Sequence, residues 1–102
     1  MSEFDHSRLD DVIHGRLRLG IMAYLSTASP ATFGEIKDKT NSTDGNLSTH
    51  LSKLEEAGYV RMEKTYNGKK PLTRVHLTKQ GRGAWIAYLA RLEGLIAATK
   101  DL

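Results

Sequence analysis

The sequence predicts a mainly α-helical domain of the α+β class, in which three helices precede a β-hairpin and one long helix follows it. Two observations carry this prediction. Apolar residues recur at steps of three and four on both sides of the hairpin, as one face of a helix requires. Residues that favour strands flank Asn67-Gly68, a dipeptide typical of hairpin turns. The 102 residues suffice for a single domain, residues 1–102, with a small core.

The first helix is predicted over about residues 9–25, where one broad apolar stripe follows helical spacing. Ser7 and Asp10 are candidate N-terminal caps. We expect the helix to end before Ser29-Pro30, because proline disfavours helical geometry in the residue that precedes it. The stripe consists of Leu9, Val12, Ile13, Leu17, Gly20, Ile21, Tyr24 and Leu25.

Two further helices follow at short intervals. Thr32 and Glu35 have the spacing of a capping box and predict a short second helix to about Lys39. A polar turn then leads into a third helix over about residues 44–57. Gly58 stands where a left-handed C-terminal cap is favoured, so we expect this helix to end there.

The hairpin is predicted from strands at about residues 59–66 and 73–77, joined by a loop longer than two residues. Thr78 is a candidate cap for a last helix that covers about residues 79–100. The order of elements is therefore helix, short helix, helix, hairpin and long helix.

Positive charge is concentrated on the hairpin and the start of the last helix. Residues 61–82 carry seven Lys and Arg and one Glu, whereas the remaining 80 residues carry eight cations and eleven anions. A basic segment on a mildly acidic body is typical of a protein that binds a polyanion. The alternative is a hairpin whose charges serve only to keep it solvated.

The third helix has the composition of a recognition helix, one that enters the major groove of double-stranded DNA. On a wheel of about 100° per residue, Leu47, Leu51 and Leu54 form the buried face. The outer face is short, polar and poor in carboxylates, which suits contacts with bases and phosphates. His50 lies on the flank and is favoured as a packing residue, and an ordinary surface helix remains the alternative. The candidate DNA contacts are Gly45, Asn46, Ser48, Thr49, Ser52 and Lys53.

The hairpin, about residues 59–77, is predicted to be a wing that contacts the phosphate backbone beside this helix. Lysines near a flexible tip act as point charges, so they would contribute affinity more than sequence preference. The candidate contacts are Lys64, Asn67, Gly68, Lys69, Lys70 and Arg74.

The last helix carries an apolar stripe that predicts a homodimer. A helix this long presents more apolar surface than one small body can cover, and aromatic anchors are common in interfaces. The alternative is simple packing onto the first helix. The stripe consists of Trp85, Tyr88, Leu89, Leu92, Leu95 and Ile96.

Other classes of function find no support in the sequence. There is no cysteine, and the four histidines do not form a pair with metal-ligand spacing, so no metal or other cofactor is expected. No nucleophile elbow, phosphate loop or dinucleotide motif occurs, so we do not expect an enzyme. No apolar run approaches the length of a membrane span, and a cytoplasmic protein is expected. A small-molecule effector is possible but not indicated, and a pocket near Tyr24, Trp85 and Tyr88 is one hypothesis for it.

Five segments in this order resemble the small single-domain winged helix-turn-helix regulators related to MarR and ArsR. The resemblance covers about residues 9–96 and implies a three-helix core, a two- to three-stranded β wing and a long C-terminal dimerisation helix. It also implies a homodimer that represses transcription from a palindromic or pseudopalindromic operator. ArsR-like members often sense metals through cysteines, which this chain lacks. The segments are 17–22, 33–36, 43–51, 54–59 and 77–81.

The residues and the resemblance together predict a sequence-specific DNA-binding transcriptional regulator. A protein–protein adaptor built on the same fold, without DNA binding, is the rival hypothesis. The basic hairpin favours the regulator, because an adaptor does not need it.

Overall fold

The computed structural model describes residue 2 and residues 4–100, which form four α-helices and a three-stranded antiparallel sheet. The predicted fold class, a three-helix core with a β wing and a long last helix, is confirmed. A single turn of 3₁₀-helix, His6–Arg8, precedes these elements. The elements are α1 (Arg16–Ala28), β1 (Ala31–Thr32), α2 (Phe33–Thr40), α3 (Asp44–Glu56), β2 (Val60–Asn67), β3 (Lys70–Leu77) and α4 (Lys79–Lys100).

The first helix begins at Arg16, so the prediction that it starts near Leu9 was wrong. Asp10 caps a separate turn instead, since its Oδ1 accepts hydrogen bonds from the backbone N–H groups of Val12 (2.8 Å) and Ile13 (3.2 Å). Ile13 is nevertheless fully buried. The apolar spacing before Arg16 therefore reflects an irregular segment that packs on the core. Aspartate at the start of a turn offers the backbone an alternative to helix, which explains the error.

Ser7 is not a helix cap either. The cap of the 3₁₀ turn is Asp5, whose carboxylate accepts hydrogen bonds from both the backbone N–H and the hydroxyl of Ser7. These bonds are the main reason that the pKa of Asp5 is lowered. The predicted end of the first helix, before Ser29-Pro30, is confirmed.

The predicted capping box at the start of α2 is confirmed. The hydroxyl of Thr32 accepts a hydrogen bond from the N–H of Glu35 (3.1 Å), and the Thr32 N–H donates to the Glu35 carboxylate (3.4 Å). Two N–H groups without helical partners are satisfied in this way. The capping geometry sets the point at which α2 begins.

The end of α3 is a Schellman motif, in which two hydrogen bonds close the last turn of the helix. The N–H of Tyr59 donates to the Leu54 carbonyl (2.9 Å), and the N–H of Gly58 donates to the Glu55 carbonyl (2.9 Å). Gly58 has φ of +82°, a left-handed conformation that favours glycine. The predicted stop is thus confirmed, and it turns the chain directly into β2.

The sheet has the strand order β1-β3-β2. The two residues of β1, Ala31 and Thr32, pair with Val75 and Arg74. So short a strand has no periodicity of its own, and no sequence pattern marks it. It joins the second helix to the root of the hairpin, so the wing is attached to the helical core.

The hairpin has a two-residue turn, so the predicted longer loop was wrong. Asn67 pairs with Lys70, and Tyr66 pairs with Pro71. Hydrogen-bonded and non-hydrogen-bonded pairs alternate in an antiparallel ladder, and the pair that closes a two-residue turn is hydrogen-bonded. Pro71 therefore occupies a non-hydrogen-bonded position, where its missing N–H costs no ladder bond.

The core lies between α1, α2, α3, the sheet and the first half of α4. The predicted cap of α4 is confirmed, because the Thr78 hydroxyl accepts a hydrogen bond from the N–H of Gly81 (2.9 Å). Among the described residues, no helix has both the length and the apolar character needed to cross a membrane. The core residues are Ile13, Ile21, Met22, Leu25, Ala31, Ile36, Leu47, Leu51, Leu54, Val60, Val75, Trp85 and Tyr88.

Candidate nucleic-acid interface

The outer face of α3 is a continuous exposed polar surface. Leu47, Leu51 and Leu54 are fully buried on the opposite side and hold the helix to the core. Each such burial stabilises the fold by roughly 1.5–3 kcal/mol. The six residues of α3 that were predicted to contact bases or phosphates are all exposed: Gly45, Asn46, Ser48, Thr49, Ser52 and Lys53.

The first turn of α3 has a defined set of hydrogen bonds. Thr43 is the N-cap, and its hydroxyl accepts from the N–H of Asn46 (3.2 Å). Asp44 forms an ion pair with Lys37 of α2 (2.9 Å), so its charge is partly neutralised. The Thr49 hydroxyl donates to the Gly45 carbonyl (3.0 Å). No atom lies within 4 Å of the position that a Gly45 Cβ would take, so the surface there is open.

His50 binds Arg18 of α1, in agreement with its predicted role as a packing residue. The Arg18 guanidinium lies 2.8 Å from His50 Nδ1, and its Nε donates to the Val12 carbonyl. Burial lowers the pKa of His50, and the positive charges of Arg18 and Lys53 lower it further. Neutral imidazole can accept the guanidinium hydrogen bond, whereas imidazolium cannot. His50 therefore links α3 to α1.

The tip of the hairpin is a solvated pair of lysines beside a glycine. Gly68 has φ of +66° and is the first central residue of the turn, as in a type II′ turn. Lys69 and Lys70 are exposed, as are Asn67 and Tyr66. Tyr66 keeps 71% of its surface accessible, so it is not a packing residue of the hairpin.

The pairing register places the two remaining wing cations on opposite faces of the hairpin. Lys64 pairs with Thr73, and Glu63 pairs with Arg74. Adjacent residues of a strand point to opposite sides, so Lys64 and Arg74 do not share a surface. Their closeness in the sequence does not show this separation, because it depends on the pairing register.

Arg74 also lies next to an anion, which reduces its value for a phosphate. Glu63 forms an ion pair with His76 (3.0 Å). The hydrogen bond from His76 is the main reason that the pKa of Glu63 is lowered, and the charges of Arg61 and Arg74 contribute. The tip lysines and Lys64 are thus better placed for DNA than Arg74.

Two of the six residues predicted for the dimer contact lie in the core of the single chain. Trp85 and Tyr88 are 8% and 2% exposed and stack on each other with ring centroids 5.9 Å apart. Tyr88 also hydrogen-bonds His14 (2.8 Å). Side chains already covered by their own chain have little surface left for a partner. They attach α4 to the residues before α1.

The other four members of the stripe remain accessible. Leu89 and Ile96 are 38% and 47% exposed, and Leu92 and Leu95 are half-buried. Sequence reasoning missed Ile86, which is 61% exposed. At about 100° per residue, Ile86, Leu89 and Ile96 fall within about 80° of one another on α4, a spacing that could have revealed it.

Within the single chain, the three residues of the hypothetical effector pocket have different partners. The hydroxyl of Tyr24 donates to Glu35 near α2, whereas Trp85 and Tyr88 are stacked in the core. Within the described part of the chain, no group of three or more His, Cys, Asp or Glu residues could hold a metal ion.

Comparisons with known proteins agree with this arrangement. A family model described as a winged helix DNA-binding domain matches residues 17–96. The uncharacterized protein MJ0432 of Methanocaldococcus jannaschii is 36% identical over 78 residues, which are 76% of this chain and 85% of that protein. The structure of a transcriptional regulator homologue from Pyrococcus horikoshii OT3 is similar, with a TM-score of 0.89 and 29% identity over 98% of this chain and 99% of that one.

A transcriptional regulator of the MarR family from Silicibacter pomeroyi shares the fold. Its TM-score is 0.68 with 21% identity, over 85% of this chain and 57% of that one. The resemblance to winged-helix regulators that the sequence indicated is therefore confirmed.

Proposed function

The chain belongs to the winged-helix DNA-binding domain family, and we propose that it is a sequence-specific transcriptional regulator, acting as a homodimer that represses transcription from a palindromic operator. The observation that carries the proposal is the exposed polar face of α3, held rigidly by three buried leucines beside a basic hairpin. In this proposal α3 enters the major groove and the hairpin follows the adjacent phosphate backbone.

Asn46 is the proposed base reader. Its side chain is exposed on the first turn of α3, while its backbone N–H is already bonded to the Thr43 cap. A carboxamide can form two hydrogen bonds with the edge of adenine. Ser48, Thr49, Ser52 and Lys53 would supply further base or phosphate contacts from the same face.

The wing is proposed to provide charge rather than sequence preference. Lys69 and Lys70 extend from the end of the hairpin, and Lys64 projects from β2 on the same face as Tyr66. Contacts of this kind release counterions from the duplex, so they make affinity depend on salt.

The dimer is proposed to form through the exposed half of the α4 stripe. Ile86, Leu89 and Ile96 are apolar side chains with more than a third of their surface accessible. A second copy of α4 would cover them, and Leu92, about 40° from Ile96, would border the contact. Leu95 faces the residues before α1 instead. Two copies would present their α3 helices about one DNA turn apart, roughly 34 Å.

Selection from a randomised duplex pool, followed by salt titration on the enriched sequence, tests the proposal. We expect an inverted repeat and a log–log slope near −7, which corresponds to about eight phosphate contacts. Absence of enrichment and of binding even at low salt would overturn the DNA-binding function and favour the protein–protein adaptor.

Two variants separate the proposed roles within the interface. Lys69→Glu with Lys70→Glu should weaken binding to all duplexes, whereas Arg8→Glu with Lys100→Glu, which changes the charge equally away from the wing, should not. Asn46→Ala should cost about 1–3 kcal/mol on the preferred site and relax the choice of base there. Equal weakening on specific and nonspecific duplexes would show that Asn46 does not read a base.

A further inference from the structure

An open groove of about 800 Å³ lies along one flank of α3. Its walls come from residues 15–24 of α1 and its start, from the end of α2 and the turn that joins α2 to α3, and from Asn46 and His50 of α3 itself. We refer to it as the α1–α3 groove. It contains no hairpin residue, and it shares Asn46 with the proposed base-reading face.

The α1–α3 groove is lined by cations and by neutral polar groups. Arg16, Arg18 and Lys39 all lie in its wall, and none of the twelve described residues that line it is acidic. Arg16 and Lys39 are exposed. Among residues 2 and 4–100, neither of them lies within 4.0 Å of a carboxylate oxygen, so their charges are available to a ligand.

Arg18 contributes a positive charge that is fixed in place. Its guanidinium is held by the Val12 carbonyl and by His50 Nδ1 at 2.8 Å. Gly15 leaves room for it, because a Cβ at that position would lie 3.1 Å from Arg18 Nη2. A charge held this way loses little conformational entropy when an anion binds.

The opposite rim is formed by an ordered polar turn. Asn41 adopts a left-handed conformation (φ 52°) and closes α2 with a hydrogen bond from its N–H to the Asp38 carbonyl (3.3 Å). The hydroxyls of Thr40 and Ser42 lie 2.9 Å apart. The Thr40 hydroxyl donates to the Ile36 carbonyl (2.7 Å), so the Ser42 hydroxyl donates to Thr40 and neither has a free hydrogen. The exposed Asn41 carboxamide is the donor that the rim places beside Lys39.

A helix seated in the major groove has a phosphate backbone on each of its flanks, since that groove is only about 12 Å wide. We propose that the α1–α3 groove binds phosphates of the DNA backbone on the flank of α3 that carries Asn46, through Arg16, Arg18 and Lys39. This inference rests on the proposed DNA-binding function and adds a contact that the hairpin does not provide. Arg16 and Lys39 supply mobile charge, and Arg18 supplies a fixed one.

The test is the salt dependence of duplex binding by Arg16→Ala with Lys39→Ala. Loss of two phosphate contacts should make the log–log slope less negative by about 1.8, so the affinity lost between 50 and 200 mM salt should be about 12-fold smaller than for wild type. Arg8→Ala with Lys100→Ala removes the same charge elsewhere and should leave the slope unchanged. Circular dichroism on both double variants would show that the fold is intact.

Three outcomes distinguish the possibilities. If the wild-type chain binds DNA and both double variants keep its slope, the groove does not contact the backbone and the proposed function still stands. If wild type binds no duplex, the proposed function fails and this inference fails with it. If inorganic phosphate or pyrophosphate protects wild type but not Arg16→Ala with Lys39→Ala against thermal unfolding, while both keep the same slope with DNA, the groove binds a free anion instead.

Discussion

Replacing Gly81 with alanine should destabilise the protein because the start of α4 packs directly on the backbone at the start of β2. A Cβ at Gly81 would meet the Tyr59 carbonyl oxygen, and would lie 2.8 Å from the Tyr59 carbonyl carbon and 2.9 Å from Leu77 Cδ1. The Tyr59 carbonyl also accepts a hydrogen bond from the N–H of Thr78 (3.0 Å), and the Thr78 hydroxyl donates to the adjacent Gly58 carbonyl (2.6 Å). The obstacle is backbone that hydrogen bonds hold in place, so it cannot yield cheaply.

The magnitude follows from comparing this position with Gly83 on the same helix. No atom lies within 4 Å of a Cβ at Gly83, so alanine there gains only its helix propensity. We expect Gly83→Ala to raise the free energy of unfolding by about 0.5–1 kcal/mol. Gly81→Ala should lower it by about 2–3 kcal/mol, because an overpacking cost of about 3–4 kcal/mol against fixed backbone, above the usual range, outweighs the same propensity gain.

Thermal and urea unfolding followed by circular dichroism would measure both variants at one protein concentration, because the midpoint depends on concentration if the proposed dimer forms. A loss of 2–3 kcal/mol corresponds to a midpoint lower by roughly 10–20 °C in a domain of this size. Equal stability of Gly81→Ala and Gly83→Ala would refute the argument that the α4–β2 approach requires glycine.

Three further predictions concern polar contacts. Folding lowers the pKa of His50, so below about pH 6.5 the unfolded chain binds more protons than the folded chain. The free energy of unfolding should therefore fall as pH drops from 7.5 to 5. His50→Gln should reduce this fall in urea titrations, and an unchanged pH dependence in the variant would contradict the prediction. Thr78→Val should lower stability by about 1–2 kcal/mol through loss of the α4 cap, a result checked by thermal unfolding against Thr99→Val as an exposed control. Tyr59→Phe should lower the free energy of unfolding by about 1–3 kcal/mol, since the Tyr59 hydroxyl donates to the half-buried Asp10 carboxylate. Spectrophotometric titration of the wild type should also show one tyrosine with a pKa raised to about 12, and this titration should be absent in the variant.

Local chemistry explains which elements could be predicted from the sequence. The capping box at Thr32, the glycine at 58 and the cap at Thr78 each depend on residues within a few positions, and all three are confirmed. Helical spacing likewise identified the buried leucines of α3 and, with them, its exposed polar face. Neighbouring residues determine these features, so no knowledge of distant contacts is needed.

Features that depend on residues far apart in the chain were decided by the tertiary structure. Asp10 interrupts the first helix while its carboxylate binds Tyr59, and β1 exists only because β3 lies beside it. The pairing register separates Lys64 from Arg74. An apolar stripe in the sequence shows that one face of α4 is covered, but it does not show which surface covers it. Only the packing of the folded chain decides that Trp85 is buried and Ile86 is exposed. The α1–α3 groove has the same origin, because its three cations come from two helices that only the folded chain brings together.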